Sequence, residues 1–527
     1  MPKFDAFVGP AYATRNQRAD CQRCINFYPE LDEQTKEWRL VGTPGLKSWA
    51  SGLAGAIRGM WVGEGRLFVA AGTYVYELNS AGTAVNSWNA GIGGGSSPVE
   101  IYPNGAQLLV VGNNQVKVLT GTEAVTPAFD MGIGMCDVAG TAVTWLSGDK
   151  FDPEQVGCNI SINGSPAGTV AAYIDETHLT LSGSAGTQTN VGFAVTQTVT
   201  GSHACFLDGF FIVTVPSTKR INISNLRDGQ QWDGLAYAFK EGYPDNLQTL
   251  LADHEELWML GTETTEVWRN TGNADFPFQR DPGAFIHCGT AAQYAISRLT
   301  SGPAWLARDY RGGTIAMRAQ GYIPVRVSTP AIEAEWSTYA TTADAESFSY
   351  RDEGHEFWVI SFPTAGKTWV FDAATNAWHE RSSYGVGRWR GRWHAYIFGK
   401  HLVGDYASGT IWEMTATEPM DGGQIIQRTR RAPHIRDGLR RIFFHEFMLE
   451  HDTSSVLPTL TLNWSNDGGV NWQGTVGGKA RIANGETSRY LATVWRRLGS
   501  SRDRVFEVVM TNTIAVPSIL AAHVEAE

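Results

Sequence analysis

One pattern recurs along the chain and restricts its fold more than any other feature of the sequence. A run of four to seven apolar and aromatic residues ends at a glycine or polar turn, and a second such run follows. Each copy predicts a two-stranded β-hairpin. The copies occupy residues 66–78, 107–119, 210–224, 256–270, 303–319, 356–372 and 400–414.

These hairpins must pack side by side, because an isolated hairpin is marginally stable in water. Where nothing intervenes, the copies are spaced ~40–50 residues apart, which is typical of one four-stranded propeller blade. Helical periodicity is confined to short stretches such as Ala331–Trp336. We therefore predict an all-β fold with a β-propeller-like body.

Two regions depart from the repeat. Residues 137–199 hold five or six short strand candidates between two hairpins, and we predict a small inserted β-barrel there. Longer alternating strands from residue 424 onward predict a C-terminal β-sandwich. The predicted domains are the N-terminal arm with the first blades at 1–136, the barrel at 137–199, the remaining blades at 200–423 and the sandwich at 424–527.

Charge and hydropathy limit the classes of function. The chain has 42 basic and 53 acidic residues and a formal net charge of −11, which argues against a surface that grips nucleic acid by its phosphates. The N-terminal stretch lacks the apolar centre of a secretory signal, and no run approaches the ~18 apolar residues of a membrane span. We expect the chain to fold in a cytoplasm.

No catalytic, cofactor-binding or metal-binding constellation is expected. Cys21 and Cys24 form CQRC, which is half of a zinc site, a redox pair or two ordinary thiols, and no second pair with matching spacing follows. In HEFMLEH, His451 lies six positions after His445, so the zinc spacing of HExxH fails. Acidic groups at 253–256 and 352–353 precede apolar strands, where solvated turn residues are expected.

A turn signature lies near the C-terminus. SNDGGVNW at 465–472 resembles the Asp-box turn of sialidases and other propeller glycosidases. Asp467 can accept backbone N–H bonds, Gly469 can take a positive φ, and Trp472 can pack beneath the turn from Ser465. A single copy outside the blades indicates a structural turn rather than sialic acid chemistry.

Arginines cluster in the C-terminal segment of this acidic chain. A second basic stretch follows at 495–504. The first arginine cluster, from Arg428 to Arg441, could contact an acidic partner or DNA phosphates. It could also form a solvated strand edge that blocks edge-to-edge pairing. Its candidate interface residues are Arg428, Arg430, Arg431, Arg436, Arg440 and Arg441.

Motifs at both ends resemble a phage family. CINFYPE at 24–30 and VGTPGLKSW at 41–49 resemble the start of phage tail accessory proteins. The C-terminal order of strand, Asp-box-like turn, WRRLG, basic stretch and strand is similar to the end of the packaged-DNA stabilisation proteins of short-tailed phages. CGTAAQYA at 288–295 and TWVFDAATNAWHE at 368–380 align loosely, and residues 137–199 have no counterpart in the resemblance.

The resemblance implies a non-enzymatic virion protein of the tail, assembled in the host cytoplasm. It implies a ring of six copies below the portal or adaptor proteins, which closes the DNA exit channel and carries tail fibre, spike or needle proteins. DNA would pass through without sequence-specific binding, because an acidic wall repels phosphates. No cofactor is implied.

Two alternative functions stay open on the sequence. A propeller glycoside hydrolase would show Asp boxes in several blades together with arginines and acids on one propeller face. A carbohydrate-binding or receptor-binding tail protein, such as a fibre tip, would usually carry a repetitive trimerising shaft, which this sequence lacks.

Overall fold

Strands dominate the structure, a computed structural model of the chain. It describes residues 2–10, 20–32, 34–274, 276–309, 311–438, 440–452, 459–477, 479–481, 490–512 and 517–527. Helix in these residues is confined to the 3-10 turns Asp5–Phe7 and Pro153–Gln155 and the α-helix Pro330–Trp336. The Thr329 hydroxyl caps the α-helix by accepting a hydrogen bond from the backbone N–H of Ile332. The predicted all-β class is confirmed.

Seven groups of four adjacent strands in the described residues hold the predicted hairpins as their two middle strands, and we call them blades A to G. Blades A, B, D and E are separate sheets, whereas blades C, F and G continue into larger sheets. The first four are blade A (Ile57–Gly63, Arg66–Ala71, Tyr74–Leu78, Ala84–Asn89), blade B (Glu100–Pro103, Leu108–Gly112, Gln115–Thr120, Glu123–Val125), blade C (Ala204–Leu207, Phe210–Thr214, Arg220–Asn225, Asp228–Phe239) and blade D (Leu247–Asp253, Glu256–Gly261, Thr265–Asn270, Phe278–Ile286). The others are blade E (Ile296–Leu299, Gly302–Arg308, Thr314–Gln320, Ile323–Arg326), blade F (Glu346–Asp352, His355–Phe362, Lys367–Asp372, Ala377–Glu380) and blade G (Gly391–Ile397, Lys400–Asp405, Ile411–Thr415, Gly45–Ala50).

Blade G combines strands from distant parts of the sequence. Gly45–Ala50 pairs antiparallel with Ile411–Thr415, with Leu46 opposite Met414. The early strand thus covers an edge that the last hairpin would otherwise leave open, which is how propeller-like sheets protect their edges.

The chain divides into two compact units. Unit 1 comprises Met1–Leu67, Leu78–Ala84 and Cys288–Glu527, and unit 2 comprises Phe68–Glu77 and Val85–His287. Blades B, C and D belong to unit 2, blades E, F and G belong to unit 1, and the boundaries near the N-terminus fall within blade A. The region expected as one domain at 200–423 is therefore divided at residue 288.

A closed six-stranded barrel lies in unit 2. Its first strand pairs with both the second and the last, which closes the sheet on itself. Cys136, Val138 and Phe193 are among the buried residues of its core. The strands are Ala128–Ala139, Ala142–Gly148, Asn159–Ile162, Ser165–Asp175, His178–Leu181 and Thr187–Thr198.

The first barrel strand begins nine residues before the predicted start at 137, since it runs from Ala128 to Ala139. Gly132 and Gly134 interrupt its apolar alternation and conceal the strand in the sequence. A Cβ at Gly134 would lie 2.2 Å from the Ser147 carbonyl oxygen, so close strand packing requires glycine there.

The C-terminal region forms two sheets around one core. Phe447 and Leu449 of one sheet pack in the same core cluster as Phe506 and Val508 of the other. One sheet contains Gln424–Arg431, Thr459–Ser465, Gln473–Gly477 and Val505–Asn512, with Arg23–Ile25 and Met420–Asp421 paired to Gln424–Arg431. The other contains Phe27–Leu31, Trp38–Gly42, Ser518–Ala526, Ile442–Asp452, Tyr490–Arg496 and Lys479–Arg481, with Ser500–Ser501 paired to Ile442–Asp452.

The sandwich also includes part of the N-terminal arm, which was expected to belong with the first blades. Trp38–Gly42 pairs with the last strand, with Leu40 opposite Ile519. Phe7, Phe27 and Leu40 are fully buried in the sandwich core. Strand periodicity indicates that one face of such a strand is buried, but it does not identify the sheet that the strand joins.

Candidate interaction surface

Two arginines of the predicted interface lie inside the protein. Arg428 and Arg430 are fully buried on one face of the strand Gln424–Arg431. Arg428 Nη2 donates to the Thr43 carbonyl at 3.0 Å. Burial lowers the pKa of Arg428 to about 9 and lowers the pKa of Arg430 as well. The proposed contact of these two side chains with a partner is therefore wrong for the folded chain.

Arg430 joins the N-terminal arm to the sandwich. Its Nε donates to the Phe7 carbonyl at 2.7 Å, and its Nη2 donates to Gln22 Oε1 at 2.7 Å. Nη2 also lies 3.3 Å from the Ala6 carbonyl oxygen. Such bonds fix a segment with little regular structure of its own, so Arg430 serves the fold.

Arg431 is half-buried and has internal partners. Its Nε lies 2.9 Å and its Nη2 lies 2.8 Å from Glu507 Oε2, and its guanidinium stacks 4.5 Å from the centre of the Trp472 ring. Arg431 thus connects its strand to the Asp-box turn and has little capacity left for a partner.

The other three predicted arginines are exposed and lie beside the second basic stretch. Ile442–Phe443 pairs with Ser500–Ser501, and Ile435 exchanges backbone hydrogen bonds with Arg504 at 2.8 and 3.0 Å. These pairings bring two segments about 60 residues apart in sequence onto one surface. We call this surface the basic patch: Arg436, Arg440, Arg441, Arg497 and Arg502, all exposed.

The basic patch includes an exposed apolar group. Phe443 is 53% exposed within it. Arg441 Nη1 lies 3.4 Å from Ser500 Oγ, and Arg440 is only loosely paired with Asp437, at 3.9 Å. Positive charge beside an exposed aromatic ring is typical of protein interfaces, in which arginines and aromatic residues are enriched.

The Asp-box-like segment forms the predicted turn. The buried Ser465 Oγ accepts the backbone N–H of Gly469 at 2.9 Å and donates to Asp467 Oδ1 at 2.7 Å. Asp467 Oδ1 accepts the Asn471 N–H, and Trp472 Nε1 donates to the Gly469 carbonyl. Gly469 has φ of +87°. The hydrogen bond from Ser465, followed by those from Asn471, lowers the pKa of Asp467 to about 2.

We expect Ser465→Ala to lower the free energy of unfolding by about 1–2 kcal/mol, because the half-buried Gly469 N–H loses its acceptor. Urea unfolding followed by tryptophan fluorescence measures the change. Val470→Thr in the same turn, at a side chain that is 63% exposed, is the control and should shift stability little. Equal stability of both variants would show that the turn does not depend on the serine.

The acidic groups singled out in the sequence lie at strand ends, around two open cavities. Asp352 and Glu353, together with Arg318 and Arg351, line a cavity of about 560 Å³. Residues of the 253–256 turn line another of about 320 Å³.

Ion pairs and turns engage these acids. Asp253 Oδ2 lies 2.8 Å from His254 Nδ1, and Asp352 Oδ1 lies 3.8 Å from His401 Nε2. Glu256 pairs with Arg269 at 2.9 Å. The surrounding structure accounts for these carboxylates as parts of turns between blade strands.

Cysteine and histidine pairs do not form an assembled metal site in the residues that the structure describes. Cys21 and Cys24 are buried thiols, and burial raises the pKa of Cys21 to about 11 and of Cys24 to about 12. His445 is exposed, whereas His451 is buried and lies 2.8 Å from Thr493 Oγ1. Across the described ranges, no helix is long and apolar enough to cross a membrane.

Comparison with known protein families gives one match. Residues 160–418 match the family model Phage_stabilise, described as "Bacteriophage P22 Gp10, beta-propeller". The matched region covers just under half of the chain, and it contains most of the barrel and blades C to F in full. Since it begins inside the barrel, the inference that residues 137–199 have no counterpart in the family is wrong for the part from 160 onward. No curated protein sequence matches the chain.

Similarity to solved structures is weak. The WD40 domain of Neurospora crassa Pan2 shares 7% identity at a TM-score of 0.33, covering 71% of this chain and 95% of that domain. Kluyveromyces lactis Hsv2 shares 7% identity at a TM-score of 0.26, covering 62% of this chain and 97% of Hsv2. An exo-beta-1,3-galactanase from Phanerochaete chrysosporium shares 10% identity at a TM-score of 0.24, covering 85% of this chain and 98% of the galactanase. The family match, on a propeller-like all-β chain, supports a structural protein of a bacteriophage.

Proposed function

We propose that the chain is a structural subunit of the tail of a short-tailed phage. Copies of it, six as the expected number, form a ring below the portal or adaptor proteins. The ring closes the DNA exit channel and carries further tail parts. The observation that carries this proposal is the match of residues 160–418 to a phage stabilisation family described as a β-propeller.

The physical properties of the chain agree with this role. Its net charge of −11 disfavours tight binding of phosphates, so DNA could slide past it. Its surface offers a basic patch for protein contact, and three of its singled-out carboxylates, Asp253, Glu256 and Asp352, lie beside basic side chains. A non-enzymatic scaffold requires contact surfaces, and the basic patch is a candidate for one.

Loss of the chain should leave phage heads that package DNA but fail to retain it. The experiment places a nonsense codon in the gene of the parent phage and compares particles made with and without the chain supplied in trans. Mass spectrometry of purified virions and electron microscopy of the particles measure its incorporation and the DNA content. Supplied chain should be found in virions and should restore filled heads.

Two other results would contradict the proposal. Particles that keep their DNA but fail to adsorb to host cells would favour the receptor-binding alternative. Virions that lack the chain, combined with glycan cleavage by the purified protein, would favour the glycoside hydrolase.

A further inference from the structure

One end of the barrel carries a dense group of carboxylates. The barrel strands and their connections, residues 128–198, contain seven acidic residues and a single lysine, Lys150. We call the group of exposed acids at one end the acidic barrel end: Asp149, Asp152, Glu154, Asp175 and Glu176.

Contacts between two connections hold the acidic barrel end together. The backbone N–H of Phe151 donates to the Glu176 carbonyl at 3.1 Å, and Lys150 Nζ lies 2.9 Å from Glu176 Oε2. Hydrogen bonds from Thr177 lower the pKa of Asp175 to about 2, so this carboxylate is ionised at neutral pH. One lysine offsets only part of the negative charge.

Exposed apolar side chains accompany these acids. Leu146 is 41% exposed, Val156 is 48% exposed and Ile174 is 60% exposed. Each lies within three residues of a member of the acidic barrel end. Apolar groups inside a charged surface indicate a contact region rather than a plain solvated face.

The acidic barrel end and the basic patch are complementary. One presents carboxylates around exposed Leu, Val and Ile side chains, and the other presents five arginines around the exposed Phe443. Charge complementarity of this kind steers association and fixes the orientation of partners, while the apolar groups supply burial.

We propose that the basic patch of one copy binds the acidic barrel end of the next copy. The two surfaces differ, so the contact is head-to-tail, and repeating it produces a ring when the rotation closes. The inference rests on the proposed ring of identical subunits and names the surfaces that join them. A second copy is favoured over DNA because it supplies both the negative charge and the apolar groups.

The contact should be weak and salt-dependent in free solution. Exposed ion pairs individually contribute little, and screening shortens their range from ~30 Å at 0.01 M salt to ~10 Å at 0.1 M. Assembly on a portal-side template would raise the local concentration of copies and offset this weakness.

Charge-swap variants test the contact directly. Arg440→Glu/Arg441→Glu reverses part of the basic patch, and Glu154→Lys/Glu176→Lys reverses part of the acidic barrel end. Sedimentation velocity of the full chain over a concentration series, at low and moderate salt, measures self-association. Wild-type protein should associate at low salt. Each variant alone should associate at least about tenfold more weakly than the wild type.

Mixing the two variants provides the decisive measurement. In an equimolar mixture, the unchanged barrel of the first variant meets the unchanged patch of the second, and the two reversed surfaces also match. Association should therefore return, as it should in a single chain that carries all four substitutions. Restoration by mixing requires contact between copies, because a contact within one chain cannot be repaired by another molecule.

The matched control for the arginine variant is Lys47→Glu/Arg351→Glu, which gives the same change of net charge as Arg440→Glu/Arg441→Glu at exposed positions outside both surfaces. It should associate like the wild type. Wild-type protein that stays monomeric at low salt, variants that associate normally, or a mixture that fails to recover would each overturn the proposal.

Binding of a short DNA duplex, measured by fluorescence anisotropy, separates the remaining alternative. If Arg440→Glu/Arg441→Glu abolishes DNA binding but leaves self-association intact, the patch is a phosphate site and the proposed contact is wrong. Detection of the chain in virions is independent of these measurements, so failure of the contact leaves the proposed structural role standing.

Discussion

Replacing Arg430 by alanine is expected to lower the free energy of unfolding by about 3–5 kcal/mol. The substitution removes the hydrogen bonds that the guanidinium donates to the Phe7 carbonyl and to Gln22, and it leaves a cavity in a fully buried site. The backbone carbonyls that lose their donor stay inside the protein, where an unpaired polar group is costly. The N-terminal arm should detach from the sandwich.

Calorimetry measures this effect as a shift of the transition that includes the sandwich, by roughly 4–8 °C for a unit of this size. Arg441→Ala in the exposed basic patch is the matched control and should stay within about 0.5 kcal/mol of the wild type. Arg430→Met retains most of the volume but not the hydrogen bonds, so it separates the cost of the cavity from that of the orphaned carbonyls. Equal melting of Arg430→Ala and Arg441→Ala would contradict the structural role.

The same arginine shows where inference from the sequence ends. Alternation along Gln424–Arg431 places Arg428 and Arg430 on one face, but charge led us to expect that face in solvent. The N-terminal arm supplies backbone carbonyls that accept from both guanidiniums, and such partners, about 400 residues away in sequence, leave no local signal. The sequence did identify the arginines that are exposed in the basic patch. It could not show that they lie beside the stretch at 495–504, because that proximity depends on strand pairing between distant segments.

The sequence predicted correctly those elements whose structure depends only on residues close to one another in the chain. The repeated hairpins are confirmed because apolar runs and tight turns specify a hairpin without help from distant segments. The capped helix Pro330–Trp336 and the Asp-box turn are local in the same sense. The start of the barrel was missed because Gly132 and Gly134 remove the apolar alternation from a strand that packs closely against its neighbour.

Mild acid should destabilise unit 1 through histidines that are buried in the neutral form. Burial lowers the pKa of His379 and His394 to about 3 and that of His451 to about 4. The unfolded chain titrates these groups near 6.5, so it binds more protons than the folded chain at any pH between the two values. Their full contribution to stability is therefore present above pH ~6.5 and is lost progressively as the pH falls toward the folded values.

The histidine–carboxylate pair of blade F acts in a different window. Burial lowers the pKa of His355 in itself, but the hydrogen bond that its ring donates to Asp372, together with the negative charge of Asp372 and nearby glutamates, outweighs burial, and the net shift of the pKa is upward. A raised pKa gives stability that is complete below pH ~6.5 and is lost as the pH rises through the folded value. The lowered pKa of Asp372 matters only near and below its ordinary value of 3.8. Between pH 5 and 6.5, roughly, the three neutral histidines therefore lower the stability as the pH falls, and the buried Asp421, whose pKa is raised by burial, acts in the opposite direction.

Each of these histidines should contribute about 0.7 kcal/mol per pH unit to the fall in the free energy of unfolding near pH 6.5, rising to about 1.3 kcal/mol per pH unit near pH 5. Denaturant unfolding at several pH values between about 5 and 7 measures the slope. His379→Gln and His451→Gln should each lower the slope by the contribution of one proton, while His254→Gln, at an exposed position outside unit 1, is the control. The surroundings of His379 explain the size of the effect: the Tyr28 and Phe357 rings lie 6.1 and 6.0 Å from its ring and offer little solvation to an imidazolium ion. A slope that is the same in wild type and in both buried-histidine variants would show that other groups govern the acid response.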